Sequence, residues 1–349
     1  MKFHKYFLIV IIGITRCTPY PEGVMTALEH SGDNRQELEK AIFFFKTKED
    51  NELKLRALYF LVEQIPYYST LNYRFVNENN EEIPLSEWNY VNVVEAREQL
   101  AKNRLYFQKG DAISDLTTVT SDYLIKNVDL AFEVWQNYPW CSNLNFDQFC
   151  KYILPHKLNG DPLNNWREYY YNKHKNDLDS LKMIGATREQ VCTWLIDRYA
   201  WDWIRSASII PVEYLSYDKI KIIGGGSCDH LSRNQVQLMR ACGIPMNMDI
   251  IPYHGRLNGG HSFTSFYDEN NVLVSFYSSN EKGPDRSEWR APKVLRYNFA
   301  IDYEKLNDYH ARRNSSVFLS NPFLEDVTTQ YFTSADISLN LENNKGEQI

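Results

Sequence analysis

The sequence predicts an α+β protein, with a helical first half, a helix opened by glycines and a cysteine, and an antiparallel sheet after it. Three observations carry this. Apolar residues recur at three- and four-residue spacing in the first two hundred positions, as on one face of a helix. From Met246 the period becomes two, with Met248, Ile250 and Pro252 alternating with Asn247, Asp249 and Ile251. Between the two patterns stands Gly224-Gly225-Gly226-Ser227-Cys228-Asp229-His230-Leu231, where glycines lead into a helix start.

Taken in order, the chain of 349 residues opens on Lys2, His4 and Lys5, then a short apolar run from Phe7 to Ile14. That run is less than half a bilayer-spanning helix, so it reads as an export signal and not an anchor. Cys17 follows directly and is the candidate for lipidation of an exported lipoprotein. Arg16 departs from the small residue usual before such a cysteine, and plain secretion is the alternative.

Residues 18–110 read as a helical N-terminal region. Arg35 onward carries Leu38, Ile42 and Phe45. Asp50 or Asn51 caps a second helix with Leu53, Leu55, Leu58, Leu61 and Ile65, which Pro66 ends. A polar turn at 77–82 precedes a charged amphipathic helix over 87–103. Further helices are expected over 117–136 (Leu124, Val128, Ala131 and Val134), 146–153, 163–175 and 187–203. Residues 204–223 read as extended. His261 to Tyr267 and Val272 to Tyr277 read as a hairpin about the Asp268 to Asn271 turn, and Val294 to Phe299 as a further strand. An extended segment is expected over 327–341.

Composition narrows the function. The chain is 43% hydrophobic and 24% charged, which suits a globular protein with a core. Its net charge of −7 and the absence of a basic block argue against a nucleic-acid partner, since phosphate binding draws its affinity from clustered Lys and Arg. The six cysteines lie in what the leader makes an oxidising compartment. Cys141 and Cys150 are close enough in sequence to pair, and Cys192 and Cys242 fall on apolar helix faces.

Cys228 has the setting of a nucleophile. Ser227 is a candidate N-cap, which puts Cys228 in the first turn, where unpaired N–H groups and the helix dipole favour a thiolate. Asp229 opposes them. Gly243 and Pro245 stop the helix. A thiol nucleophile needs a proton carrier, and His261, behind Gly259 and Gly260 at a strand start, is the candidate base. His230 is two residues along the same helix and points elsewhere. Tyr253, His254, Phe263 and Tyr277 are candidates to line a binding cleft. A metal site from Cys228, His230, His254 and His261 matches no regular zinc spacing, so neither a metal nor another cofactor is implied.

The run Gly226-Ser227-Cys228, the helix end Arg240-Ala241-Cys242-Gly243-Ile244-Pro245 and the strand Gly260-His261-Ser262-Phe263 resemble the transglutaminase-like superfamily, in particular transglutaminase-domain lipoproteins of the bacterial cell envelope. The resemblance implies a papain-like core over 111–313, an extension over 314–349, and an exported protein of the Gram-negative envelope. It implies Cys228 as nucleophile and His261 as base and later acid, acting on a peptide, protein or glycopeptide, with membrane contact only through Cys17. The family's third residue is an Asp after an aromatic. Here Phe276 is followed by Tyr277, so Asn280 is the candidate, with Glu281 and Asp285 as alternatives. Two functions remain open: acyl transfer on an amide, or a module without turnover that binds a peptide or glycan in the same cleft.

Overall fold

Leucine and alanine spacing builds the first helices of the computed structural model, which describes residues 20–49, 51–83, 98, 102, 106–198, 202–203, 225–253, 255, 259–276, 291–311 and 321–333. Helices α1 (Glu22–His30), α2 (Arg35–Lys46) and α3 (Glu52–Gln64) pack on one another. In α2 the buried residues are Leu38, Ala41, Ile42 and Phe45, one stripe at helical spacing. Pro66 takes the chain out of α3 through a tight turn at Ile65–Tyr67.

The expectation of a mostly helical N-terminal region holds through α3 and is corrected after it. Strand β1 (Ser69–Val76) pairs antiparallel with β2 (Tyr106–Ser114). Leu71, Tyr73 and Phe75 alternate with Thr70, Asn72 and Arg74, a period of two inside a region read for its helices. The division expected at residue 110 falls inside β2. The helix expected over 87–103 lies almost wholly outside the described residues.

Helix α4 (Ser121–Asn137) starts where the Thr120 side chain accepts from the Tyr123 N–H, and it buries Leu124, Val128, Ala131 and Val134 as the periodicity requires. Helix α5 (Phe146–Tyr152) opens on a reciprocal Asn145–Gln148 capping box. Helices α6 (Trp166–Met183) and α7 (Arg188–Arg198) follow. A two-residue parallel pair joins β3 (Asp202–Trp203) to β4 (Gly225–Gly226), immediately before helix α8 (Cys228–Ala241). The stretch 204–223 lies outside the described residues.

The sheet is antiparallel throughout. Its strands are β5 (Asn247–Ile251), β6 (His261–Tyr267), β7 (Leu273–Phe276), β8 (Leu295–Tyr297) and β9 (Leu324–Asp326), in the order β7-β6-β5-β8-β9. Helix α9 (Tyr303–Ala311) and strand β9 have weak apolar patterns and were not expected from the sequence. Helix α10 (Thr328–Tyr331) replaces the start of the extended segment expected over 327–341. Asp326 causes this locally: its carboxylate accepts from the Thr328 amide at 3.0 Å, the contact that starts a turn.

α8 lies between α6 and one face of the sheet, and every residue from His230 to Ala241 is buried. A helix enclosed on all sides must satisfy its polar side chains internally. Tyr170 donates to Asn234 at 2.6 Å, Thr264 to Gln235 at 3.0 Å, and Arg240 to the Met246 carbonyl at 3.1 Å. Arg167 of α6, itself buried, donates to the carbonyls of Arg240 (3.1 Å), Ile153 (2.8 Å) and Pro155 (3.0 Å), tying the end of α8 to the segment after α5. Gly243 has φ +81°, the left-handed cap its place after the helix requires, and a Cβ there would meet the Cys141 sulfur at 2.7 Å.

The sheet face toward α8 joins the main core through Met248, Ile250, Phe266, Leu295 and Leu324. The opposite face holds a smaller cluster of Ile251, Phe263, Val294, Val327 and Tyr331. Beside it Arg296 grips Asp249 with two bonds of 2.8 Å, and Ser265 and Tyr331 add bonds of 2.7 and 2.5 Å to the same carboxylate. The five described cysteines are unpaired, so Cys141 and Cys150 form no bridge.

Candidate active site

The start of α8 meets the start of β6 at one corner. Ser227 caps α8 as its position suggested, and His230 completes the cap by accepting the Ser227 N–H on Nδ1 at 3.0 Å. The Nδ1 of the His230 ring thereby holds the helix start, and the ring is fully buried. Gly260 brings β6 close to the end of β5: a Cβ on it would lie 2.8 Å from the carbonyl oxygens of both Ile251 and Pro252. His261 is then paired opposite Ile251 in the ladder.

Strand alternation sorts the β6 side chains. Ser262 and Thr264 turn to α8: the Ser262 hydroxyl donates to Asp229 at 2.6 Å and Thr264 to Gln235 at 3.0 Å. The rings of His261 and Phe263 lie on the other side, nearly parallel (11°) with centroids 6.4 Å apart. The backbone N–H of Ser262, the residue bonded to His261, favours the ionised form of the Cys228 thiol, as do the amides of Asp229 and of Cys228 itself. The Ser262–Asp229 bond thus fastens the helix start that carries Cys228 to the strand residue next to His261.

Opposing influences act on that thiol. Burial pushes it up, the Ser262 amide pulls it down, Asp229 pushes it up, and the two remaining amides pull it down. The net direction is upward, so burial and Asp229 outweigh the helix start. Burial, against the pull of Arg188 at Cys141 and with the help of Asp147 at Cys150, pushes these enclosed thiols up to about 12, which separates them from any reactive role.

Of the cleft candidates, Tyr253 is 60% exposed in the turn after β5. Phe263 is a correction: it is fully buried edge-on against Tyr331, 5.4 Å between centroids, and is a core residue of the sheet's second face. Its place in an alternating strand next to His261 carries no mark of which face is covered. His254, Tyr277, Asn280 and Cys17 lie outside the described residues. Asp229, Ser262, Arg233 and Asp161 were not singled out as partners at this corner. Asp229 and Arg233 are four apart on one helix, a spacing that signals an ion pair, whereas nothing local in the sequence links Asp161 to them.

Fold and corner together define an α+β protein that sets a helix-start cysteine against the first residues of a strand in an antiparallel sheet. Comparison with protein-family models, with characterised proteins and with solved structures found no match. Among the described residues no group of three or more His, Cys, Asp or Glu is arranged to hold a metal ion, and no helix is long and apolar enough to cross a membrane.

Proposed function

We propose that the chain has a papain-like, transglutaminase-like core and performs thiol-dependent acyl transfer on an amide substrate. The observation that carries this reading is Cys228 in the first turn of α8, at a helix start that the Ser262–Asp229 bond fastens to β6 one residue from His261. In the proposed reaction the sulfur attacks the amide carbonyl carbon as its proton passes to His261. Backbone N–H groups at the α8 start stabilise the oxyanion. His261 returns the proton to the departing amine, leaving a thioester that water or a second amine opens. Hydrolysis is the simpler outcome, because it needs no amine acceptor. The substrate is a peptide, protein or glycopeptide, met at the cell envelope where Cys17 anchors the chain by lipid. Asn280 is the proposed orienter of His261.

A second reading has one observation in its favour: burial and Asp229 hold the Cys228 thiol up. A thiol kept protonated suits a module that binds a peptide or glycan without turning it over. Iodoacetamide at neutral pH separates the two. Fast alkylation of Cys228, slowed in His261→Ala, together with cleavage of a mixed peptide library that Cys228→Ala abolishes, is the outcome expected of the enzyme. Alkylation only at alkaline pH and no cleavage would leave the binding module.

A further inference from the structure

The carboxylate beside Cys228 is not left to solvent. Asp229 accepts from Ser262 Oγ on one oxygen, at 2.6 Å, and faces Arg233 Nε with the other, at 3.5 Å. Arg233 is buried, and its Nη1 donates to Asp161 at 2.7 Å and to the Asn159 carbonyl at 3.2 Å. Asp161 is fixed in turn, by the Leu158 amide at 3.3 Å and Gln237 at 3.3 Å. The guanidinium also lies 5.6 Å from the centre of the Tyr297 ring on β8. A continuous polar chain therefore runs from the loop at 158–161, across α8, to the first residues of β6.

We infer that Arg233 is a positioning residue for the Cys228 sulfur, acting through Asp229, with Asp161 holding the guanidinium in place. The inference rests on Cys228 being a reactive thiol. Its physical content is twofold. The Asp229–Ser262 bond fastens the α8 start, and with it Cys228, to β6. Arg233 opposes the charge of Asp229, which otherwise acts on the sulfur unrelieved. Among the described residues, Asp229 acts directly on the thiol, Arg233 lies one turn further along α8, and His261 is the neighbour of Ser262 on β6. His230 is turned back onto the Ser227 cap.

The test is the rate of Cys228 alkylation by iodoacetamide against pH, in the full chain, with folding checked by circular dichroism. Only the thiolate reacts, so the profile reads the sulfur directly and needs no substrate. In Arg233→Met the profile is expected to move to higher pH by about one unit, slowing alkylation at neutral pH about tenfold. Arg233→Lys is expected to recover at least half of that shift. In an Asp229→Asn background the effect of Arg233→Met is expected to shrink to less than half, which a purely structural role for Arg233 does not produce. A folded Arg233→Met protein with an unmoved profile, or an equal shift in the Asp229→Asn background, overturns the inference. If Arg233→Met does not fold, Asp229→Asn alone is expected to move the profile to lower pH and Ser262→Ala to higher pH. Both unmoved overturns the inference equally. An Arg233-dependent profile without any peptide cleavage removes the acyl-transfer reading and leaves this one. Cleavage with an Arg233-independent profile removes this one alone.

Discussion

Gly259 and Gly260 stand side by side before His261, and they are expected to respond differently to alanine. At Gly260 a methyl group would lie 2.8 Å from two backbone oxygens, which cannot rotate away, so β5 and β6 must part. A cost of about 1–3 kcal/mol follows, the range for overpacking. At Gly259 nothing among the described residues stands within 4 Å, and alanine there is expected to change stability by less than ~0.5 kcal/mol. Urea midpoints of the two variants check this, and equal midpoints would refute it. Slower Cys228 alkylation is expected in Gly260→Ala alone, because its strain falls on the ladder step that carries His261. At this scale the sequence was legible where a residue's type states its own need. Ser227 as cap and Gly243 as left-handed stop are of that kind. The use of a residue by a distant partner was not legible. His230 became a capping group, Phe263 went into the core, and Asp161 reached Arg233 across 72 positions. Nothing in the local pattern encodes those pairings.

Two elements owe their place to single carboxylates. Asp249 is fully buried between β6, β8 and α10, and Arg296 meets it with both branches of the guanidinium. Burial alone would pull the Arg296 guanidinium down, but Asp249 outweighs it and the group is held firmly charged. Replacing Arg296 with Met strands a buried carboxylate, and a loss of about 3–5 kcal/mol is expected. Tyr331→Phe removes one of several donors to the same carboxylate and is expected to cost about 1–3 kcal/mol. Thermal or urea unfolding of both variants measures the contrast, and Tyr331→Phe costing as much as Arg296→Met would contradict it. Glu37 acts at the other end of the chain. It joins α2 to α4 by accepting from the Ser121 amide at 2.8 Å and hydroxyl at 2.7 Å, so it serves the α4 start from another helix. Lys40, then the Ser121 amide and hydroxyl, bring its carboxyl down from 4.5 to about 2. The unfolded chain therefore binds the proton more readily. The stabilisation is complete above about 4.5 and is lost as pH falls from there through about 2. Glu37→Gln is expected to be less stable at neutral pH and to lose less between those limits. Parallel stability curves for the two proteins would show the carboxyl is not linked. Helices with an apolar stripe, such as α2 and α4, were legible in outline. The β1–β2 pair was not, because its alternation is short and lies between strong helical signals.

Across the whole molecule, one hydrophobic core joins parts that the sequence suggested as separate regions. A single cluster runs from Val24 and Leu28 in α1, through Leu124 and Val128 in α4, to Met248, Leu295 and Leu324 in the sheet. Specific polar contacts cross the same ground. The Tyr68 hydroxyl donates to the Phe299 carbonyl at 2.9 Å and the Ile301 amide to Gln64 at 3.0 Å. A unit that folds alone keeps its own core and few contacts across its boundary, and residue 110 meets neither condition. The chain that carries Cys228 and His261 is therefore expected to depend on α1, α2 and α3 for its stability. Tryptophan fluorescence and far-ultraviolet circular dichroism should report the same urea midpoint, as one cooperative unit requires. A fragment beginning at residue 111 should retain some helix but lack cooperative unfolding, and its Cys228 should alkylate as an open thiol does. A fragment that unfolds sharply, with the alkylation profile of the full chain, would show that the corner stands without the N-terminal helices.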